Sequence, residues 1–350
     1  MTVLYVTEQG ATLHKRGKAL LVRGSNGDIV NKVELLHLNT VVLFGGVSFS
    51  TQTCVELLKN GVDFAFMTLG GKLHGHLVGP LSPGAEMRMK QHEMFHNSRE
   101  RLMMARAFVL SKIGGCIHVL KRHLTNYPSE EIPQVIEALE KCRVKALEAI
   151  QMDTLRGWEG QAARRYFGIF PQLIRSDKFV FEGRRSNPSP DPVNALLSLG
   201  YVMLCNEITA LLGAVGLDPW LGFYHEPGRS RSTLAFDLME EFRHACVDRF
   251  TLNMINLGAI NPGDFQEETP ENETGCRLTQ EGLKKYLAQR EKWMTREFSI
   301  PWIEGPMTWR KLICRQCDNL AKSVRLNATY SPLFPRDINS DQKEEPQNQE

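Results

Sequence analysis

The segment Gly222-Phe223-Tyr224-His225-Glu226-Pro227-Gly228 places a histidine in a Gly/Pro turn, and a helix expected from about Thr233 follows it with Asp237 and Glu240. Residues three apart share one helical face, so these two carboxylates project together. An imidazole beside clustered carboxylates suits a divalent cation such as Mn²⁺ or Mg²⁺. Glu241 projects about 100° away from Glu240 and is not expected on the same ion. Arg229, Arg231 and Arg243 flank the segment. Guanidinium groups around a cation suggest a phosphate-bearing substrate.

A third acid is offered by Arg156-Gly157-Trp158-Glu159-Gly160-Gln161-Ala162-Ala163-Arg164-Arg165. Its small residues would let a ligand or a second backbone approach Glu159, and Arg156, Arg164 and Arg165 stand near it. Arg184-Arg185 precede a Pro-rich turn and read as a solvated loop, with phosphate contact as the alternative. His92-Glu93-Met94-Phe95-His96 matches the zinc-peptidase pattern HExxH, but its surroundings are polar on nearly every side and position 102 is Leu. A zinc peptidase is therefore a rival reading, not the leading one. Cys314-Arg315-Gln316-Cys317 is a single CxxC without the second pair that a zinc site needs.

These groups need elements to hold them. Residues 1–80 read as a small β-rich domain, with strands at Thr2–Thr7, Ala19–Arg23, Thr40–Phe44 and Asp63–Met67 between Gly-containing turns. One helix, Thr51–Lys59, interrupts them and stops at Asn60-Gly61. Residues 81–85 read as a linker. The period then becomes helical, and 86–330 is expected to be a larger, all-helical catalytic domain, giving an α+β chain. Helices are predicted from about Ala85 to His123, then near Ile132–Ile150, Leu155–Phe167, Pro192–Val215, Thr233–Asn256, Thr279–Arg296 and Thr308–Asn327. Asp191-Pro192 is a strong start signal, with Asp as N-cap and Pro at the first helical position. Residues 335–350 read as a disordered acidic tail.

The chain has 350 residues, 42% hydrophobic and 23% charged, which is ordinary for a globular protein. The apolar stretch from Ala195 to Leu212 contains Asn206 and Glu207 and reads as a buried helix, so no membrane association is expected. Eight scattered cysteines in a chain long enough to build a core point to reduced thiols and the cytoplasm. The net charge of +2 is unevenly spread. The tail carries two basic and five acidic side chains, which leaves the body at +5, and Asp264–Glu273 adds five acids without a base. That polarity fits a phosphate-binding face.

Taken together, Trp158–Phe167, Asp191–Ser198, Val215-Gly216-Leu217-Asp218-Pro219, Gly222–His225 and Asp237–Arg243 resemble, in order, the universal CRISPR-associated adaptation integrase. That protein is the larger, catalytic subunit that inserts new spacers into a repeat array. Val41–Gly45 and Leu77–Pro80 fit the same pattern, which spans about residues 1–330. The resemblance implies that Glu159, His225 and Glu240 bind one Mn²⁺ or Mg²⁺ and carry catalysis, with Asp237 as an alternate or outer ligand. It implies a DNA endonuclease and integrase acting by phosphodiester transesterification on double-stranded DNA, both the incoming fragment and the repeat array. It also implies a homodimer and a small second CRISPR adaptation protein as partner. Arg156, Arg164, Arg165, Arg184, Arg229 and Arg231 are the candidate DNA contacts. A metal-dependent nuclease without an integrase role shares the same site chemistry, and a non-catalytic DNA-binding scaffold is a further alternative.

Overall fold

The computed structural model describes residues 2–69, 73–77, 79, 84–185, 188–228, 232–268, 275–300 and 303–333. Most of the expected linker, Arg229, Arg231 and the acidic tail lie outside the described residues.

The N-terminal region contains two four-stranded sheets. Strands β1 (Thr2–Val6), β2 (Thr12–Arg16), β3 (Ala19–Arg23), β4 (Ile29–Glu34), β5 (Leu38–Phe44) and β6 (Ser48–Phe49) precede helix α1 (Thr51–Lys59), and β7 (Asp63–Met67) and β8 (Leu73–Leu77) follow it. The strand orders are β1-β5-β7-β8 and β4-β3-β2-β6. In the first sheet β1, β5 and β7 run parallel and β8 runs antiparallel. The α1 start is fixed by Ser50, whose Oγ accepts from Thr53 N at 3.1 Å. Its end is fixed by Gly61 at a φ of +71°, in the left-handed region that glycine tolerates.

Side chains alternate across a strand, and β5 uses both of its faces. Val41 and Leu43 join Leu13, Leu20, Val22 and Leu57 in a core between the two sheets. Val42 and Phe44, with Ala65 and Met67 of β7, join the main core of the helical region. Sheet and helices are thus locked through apolar contact on the far face of the sheet.

The helical region runs α2 (Ala85–His96), α3 (Ser98–Leu124), α4 (Glu131–Glu148), α5 (Met152–Ile169), α6 (Pro192–Ala214), α7 (Thr233–Met239), α8 (Arg249–Asn256), α9 (Gln280–Thr295) and α10 (Trp309–Leu326). Each predicted helix is present, and two are subdivided. Asn97 ends α2 and caps α3 by accepting from Arg99 N and Glu100 N. The predicted helix Thr233–Asn256 breaks after Met239 and passes through a π-helical segment, His244–Asp248, before α8. The region is mostly helical and not all-helical. Hairpins β9 (Phe265–Glu268)/β10 (Gly275–Leu278) and β11 (Phe298–Ile300)/β12 (Ile303–Met307) are inserted around α9. α3 and α6 are long and apolar enough to cross a membrane, yet most of each is buried within the protein, where they form the centre of the core.

Candidate active site

His225 is held by a loop that is pinned from several directions. Gln91, from the buried side of α2, donates to the carbonyls of Asp218 (2.9 Å) and Leu221 (2.8 Å) and accepts from Asp218 N at 2.8 Å. Arg101 donates from Nε to Phe223 O at 3.0 Å. Thr233 Oγ1 accepts from Gly222 N at 3.0 Å. At Gly222 a Cβ would lie 2.7 Å from the Thr233 backbone and 2.9 Å from Asp237 Oδ2, so only glycine lets the loop lie this close to α7.

Asp237 is fully buried at the centre of that arrangement. Its Oδ2 accepts from Phe223 N (2.6 Å) and Tyr224 N (2.9 Å). Its Oδ1 accepts from His225 N (2.9 Å) and His225 Nδ1 (2.7 Å). A carboxylate has about four lone-pair sites, and here all are used. The bond to Nδ1 fixes the ring and leaves Nε2 as the outward nitrogen. Burial disfavours a charged His225, but Asp237 more than offsets it and raises the imidazole above its ordinary pKa.

Glu159, on α5, and Glu240, just past α7, meet at a cation supplied by the protein itself. Lys112 Nζ, from the middle of α3, lies 2.5 Å from Glu159 Oε1 and 3.0 Å from Glu240 Oε2. Arg243 Nη1 reaches both Glu240 oxygens, at 3.0 and 3.1 Å. Tyr224 donates its hydroxyl to Glu159 Oε2 at 3.2 Å. Glu240 is 4% exposed. Burial works against its charge, yet Arg243, Lys112 and His225 hold it far below the usual carboxylate range. Burial likewise works against the Lys112 ammonium, which Glu240 and Glu159 more than restore. Burial and the adjacent Glu159 raise the Tyr224 phenol, so it stays a donor.

Among the described residues, no three His, Cys, Asp or Glu side chains are arranged to hold an ion as they stand. Lys112 stands between the two carboxylates. The donor set still fits a divalent cation: two carboxylates converge on one positive centre, and an oriented imidazole stands close enough to influence Glu240. Asp237 is not part of the convergence, because its oxygens are committed to the His225 loop.

Beneath the site lies a second buried network. The Arg243 guanidinium stacks 4.3 Å from the Tyr201 ring centroid. Tyr201 donates to Asp248 Oδ1. His244 Nδ1 lies 2.6 Å from Asp248 Oδ2, and Cys116 Sγ lies 3.2 Å from His244 Nε2. Cys-His-Asp in this order has the spacing of a nucleophilic triad. Cys116, however, is 1% exposed and its thiol is pushed well above its ordinary pKa by burial, so it is inert. The network braces Arg243 against α3.

The other candidates divide. Arg156 shares the Glu159 face of α5 and donates to Glu226 (2.8 Å) and Asp153 (3.1 Å) at the rim of the site. Arg164 and Arg165 are exposed on another face of α5. Arg184 turns inward and donates to Asn194 (2.9 Å) and Ser198 (3.1 Å), tying the preceding loop to the start of α6. His92, Glu93 and His96 are exposed, so the HExxH pattern lies on the outer face of α2. Glu241 points away from Glu240, as its helical angle requires. It accepts from Tyr330 Oη (2.6 Å), Leu333 N (2.7 Å) and Gln316 Nε2 (3.0 Å). Sequence reasoning missed Lys112, although a lone lysine in the apolar run Phe108–Leu120 was a visible signal for a paired, buried charge.

The family profile described as "CRISPR associated protein Cas1" matches residues 4–292. A CRISPR-associated endonuclease Cas1 of Chlorobaculum tepidum is 34% identical over 346 residues, covering 95% of this chain and 98% of the relative. A Cas4 exonuclease/Cas1 endonuclease fusion of Geobacter sulfurreducens is 33% identical over 338 residues; the match covers 95% of this chain and spans 60% of the fusion. Among solved structures, a Cas6-RT-Cas1–Cas2 complex superposes with a TM-score of 0.79 at 25% identity, covering 94% of this chain and 35% of that one.

Proposed function

The chain belongs to the CRISPR-associated Cas1 family, and from that premise we propose that it is a metal-dependent DNA endonuclease and integrase that inserts short DNA fragments into a CRISPR array by phosphodiester transesterification. The observation that carries this reading is the convergence of Glu159 and Glu240 on one cationic centre beside a loop-held histidine. Glu159, His225 and Glu240 would bind the Mn²⁺ or Mg²⁺, and an imidazole ligand favours Mn²⁺. Asp237 orients His225 from behind, as partners of ligating histidines commonly do. When bound, the ion polarises a phosphodiester and lowers the pKa of the attacking hydroxyl.

The chain's own groups do the rest by position and charge, which supply most of the catalysis in phosphoryl transfer. Arg243 fixes both Glu240 oxygens and keeps the carboxylate ionised. Tyr224 steadies the second oxygen of Glu159. A Cβ added at Gly157 or Gly160 would meet nothing within 4 Å. The surface of α5 at these two glycines is therefore uncovered, which leaves room for a bulky substrate such as a DNA backbone to lie along the helix. Arg156 stands at that rim to contact phosphate, with Arg164, Arg165, Arg229 and Arg231 as further contacts and Arg184 as a brace.

The substrates are double-stranded DNA, as incoming fragment and as repeat array. The partners are a second copy of this chain and the small second adaptation protein; the matched solved structure is a Cas1–Cas2 complex. The catalytic part is residues 86–330, which supply every side chain named here. Eight free thiols suit the reducing cytoplasm. Strand joining on repeat-containing DNA with Mn²⁺ tests this reading. Wild type and His92→Ala should join strands and Glu159→Ala should not. Full joining by Glu159→Ala would place the metal site elsewhere, and cleavage without joining in the presence of the partner would favour a nuclease without an integrase role.

A further inference from the structure

Lys112 is an unusual residue for its position. It lies within Met104–Leu120 of α3, where nearly every neighbour is buried, and it is itself only 8% exposed. A charge there is tolerable only when paired. Its partners are the two carboxylates that the proposed function assigns to the metal, and its ammonium occupies the point on which they converge. Arg243 adds a second fixed positive charge to the same pair. Glu159 and Glu240 are thus already neutralised by Lys112 and Arg243 when no ion is bound. A divalent cation entering between the two carboxylates would meet the Lys112 ammonium at the same point and has to displace it. A displaced buried ammonium needs another anion, and a nucleic-acid backbone supplies one at each phosphate.

We infer that Lys112 makes metal loading conditional on DNA: its ammonium substitutes for the ion in the free protein, and on loading it leaves the carboxylates and pairs with a phosphate of the bound strand. The inference rests on the metal-site reading above. Its physical basis is competition between like charges a few ångströms apart in a largely dry pocket, where Coulomb interactions are strong. The side chain suits the exchange. An ammonium on a flexible four-carbon stem can swing between anions, whereas a guanidinium fork holding one carboxylate, like that of Arg243, is fixed in place. By linkage, if DNA raises metal affinity then metal raises DNA affinity by the same factor. A protein built this way carries a nuclease centre that stays unloaded until its substrate arrives.

The test is Mn²⁺ binding to the full-length chain by titration calorimetry, with and without a branched DNA duplex whose 3′ ends lack hydroxyls. Wild type, Lys112→Met, Lys121→Met and Glu159→Gln are compared, with thermal melting as a check on folding. Lys121 lies on the same helix and is half exposed, so its variant controls for loss of a helix charge. Wild type and Lys121→Met should bind Mn²⁺ weakly alone and on the order of tenfold or more tightly with DNA. Lys112→Met should bind Mn²⁺ on the order of tenfold or more tightly than wild type without DNA, with most of the DNA enhancement gone. Its melting temperature should gain more from Mn²⁺ than that of wild type. Lys112→Gln, which keeps a polar head without the charge, should behave like Lys112→Met and guards against a variant that fails to fold. Unchanged Mn²⁺ affinity in both Lys112 variants, or an undiminished DNA enhancement, overturns the inference while leaving the site reading intact if Glu159→Gln has lost binding. Full Mn²⁺ binding by Glu159→Gln overturns the site reading, and this inference with it.

Discussion

Among the described residues, two buried ionic clusters differ in the cation that their central acids rest on. At the junction of sheet and helices, Glu207 of α6 accepts from Arg290 of α9 at 2.7 Å and lies 3.6 Å from Arg310 of α10. Tyr5 of β1 accepts from Arg290 at 2.8 Å. Burial raises Glu207, and the two guanidiniums more than reverse that, leaving it lowered. At the candidate active site, Glu159 and Glu240 share a lysine, and an imidazole that is 38% exposed at its side chain opens the cluster to solvent. The first cluster is closed on itself by guanidinium forks and joins four elements. The second also has a guanidinium, Arg243 on Glu240, but the point shared by its two acids is held by the compact ammonium of Lys112. Similar charges at similar depth anchor the fold in one place and, on the reading proposed above, exchange for a ligand in the other.

The sharpest contrast comes from neutralising one acid in each cluster. Glu159→Gln should lower strand joining by at least about 100-fold, the scale for losing a preorganised electrostatic group, with little change in melting. Glu207→Gln should destabilise the fold by about 3–5 kcal/mol, because it leaves the buried Arg290 without its carboxylate partner, while Arg310 keeps Glu291. The fraction that remains folded should bind Mn²⁺ normally. Chemical denaturation and metal titration on both variants decide it, and a reversed pattern would break the comparison.

Asp237→Asn comes next. One of its oxygens becomes an amide that cannot accept from the loop, so His225 loses part of its support. Metal affinity or activity should fall about 10- to 100-fold, as for other residues that support a ligand from behind.

Glu241 gives a pH effect beside the site but not in it. Burial pushes its carboxyl up to about 7 from an ordinary 4.5, and its three donors only partly oppose this. The folded state therefore binds the proton more tightly than the unfolded state. Stability is fully present below pH 4.5 and declines as pH rises to about 7. The shift corresponds to roughly 3 kcal/mol. Glu241→Gln should flatten melting temperature across that window while wild type slopes downward.

The smallest effect is expected from His92→Ala and His96→Ala, within about 0.5 kcal/mol in stability and without loss of metal binding. These residues match a peptidase motif by spacing alone.

Much of this was legible in the chain. Helix α1 falls at Thr51–Lys59 as read, because its cap and its Asn-Gly stop are local signals. Asp191 caps α6 through Asn194 N at 2.8 Å, as its Asp-Pro start suggested. Glu159, His225 and Glu240 stood out through residue type and setting. What stayed hidden depends on contacts distant in sequence. The break between α7 and α8 contains neither Gly nor Pro, and it sends Glu240 to Lys112 and Glu241 to Tyr330. Hairpin β9/β10 is too short and too acidic to announce itself, and β2, with His14, Lys15 and Arg16, hides its single deeply buried Leu13. Arg184 looked like a free loop charge because its partners, Asn194 and Ser198, lie beyond an intervening Pro-rich turn.

The most direct measurement is an anomalous difference map at the manganese edge, from crystals of the protein grown with Mn²⁺ and duplex DNA. The account predicts one peak bounded by Glu159, Glu240 and the Nε2 of His225, with the Lys112 ammonium displaced from between the carboxylates. A peak at His92 and His96, or none at Glu159 with Lys112 still in place, would contradict it.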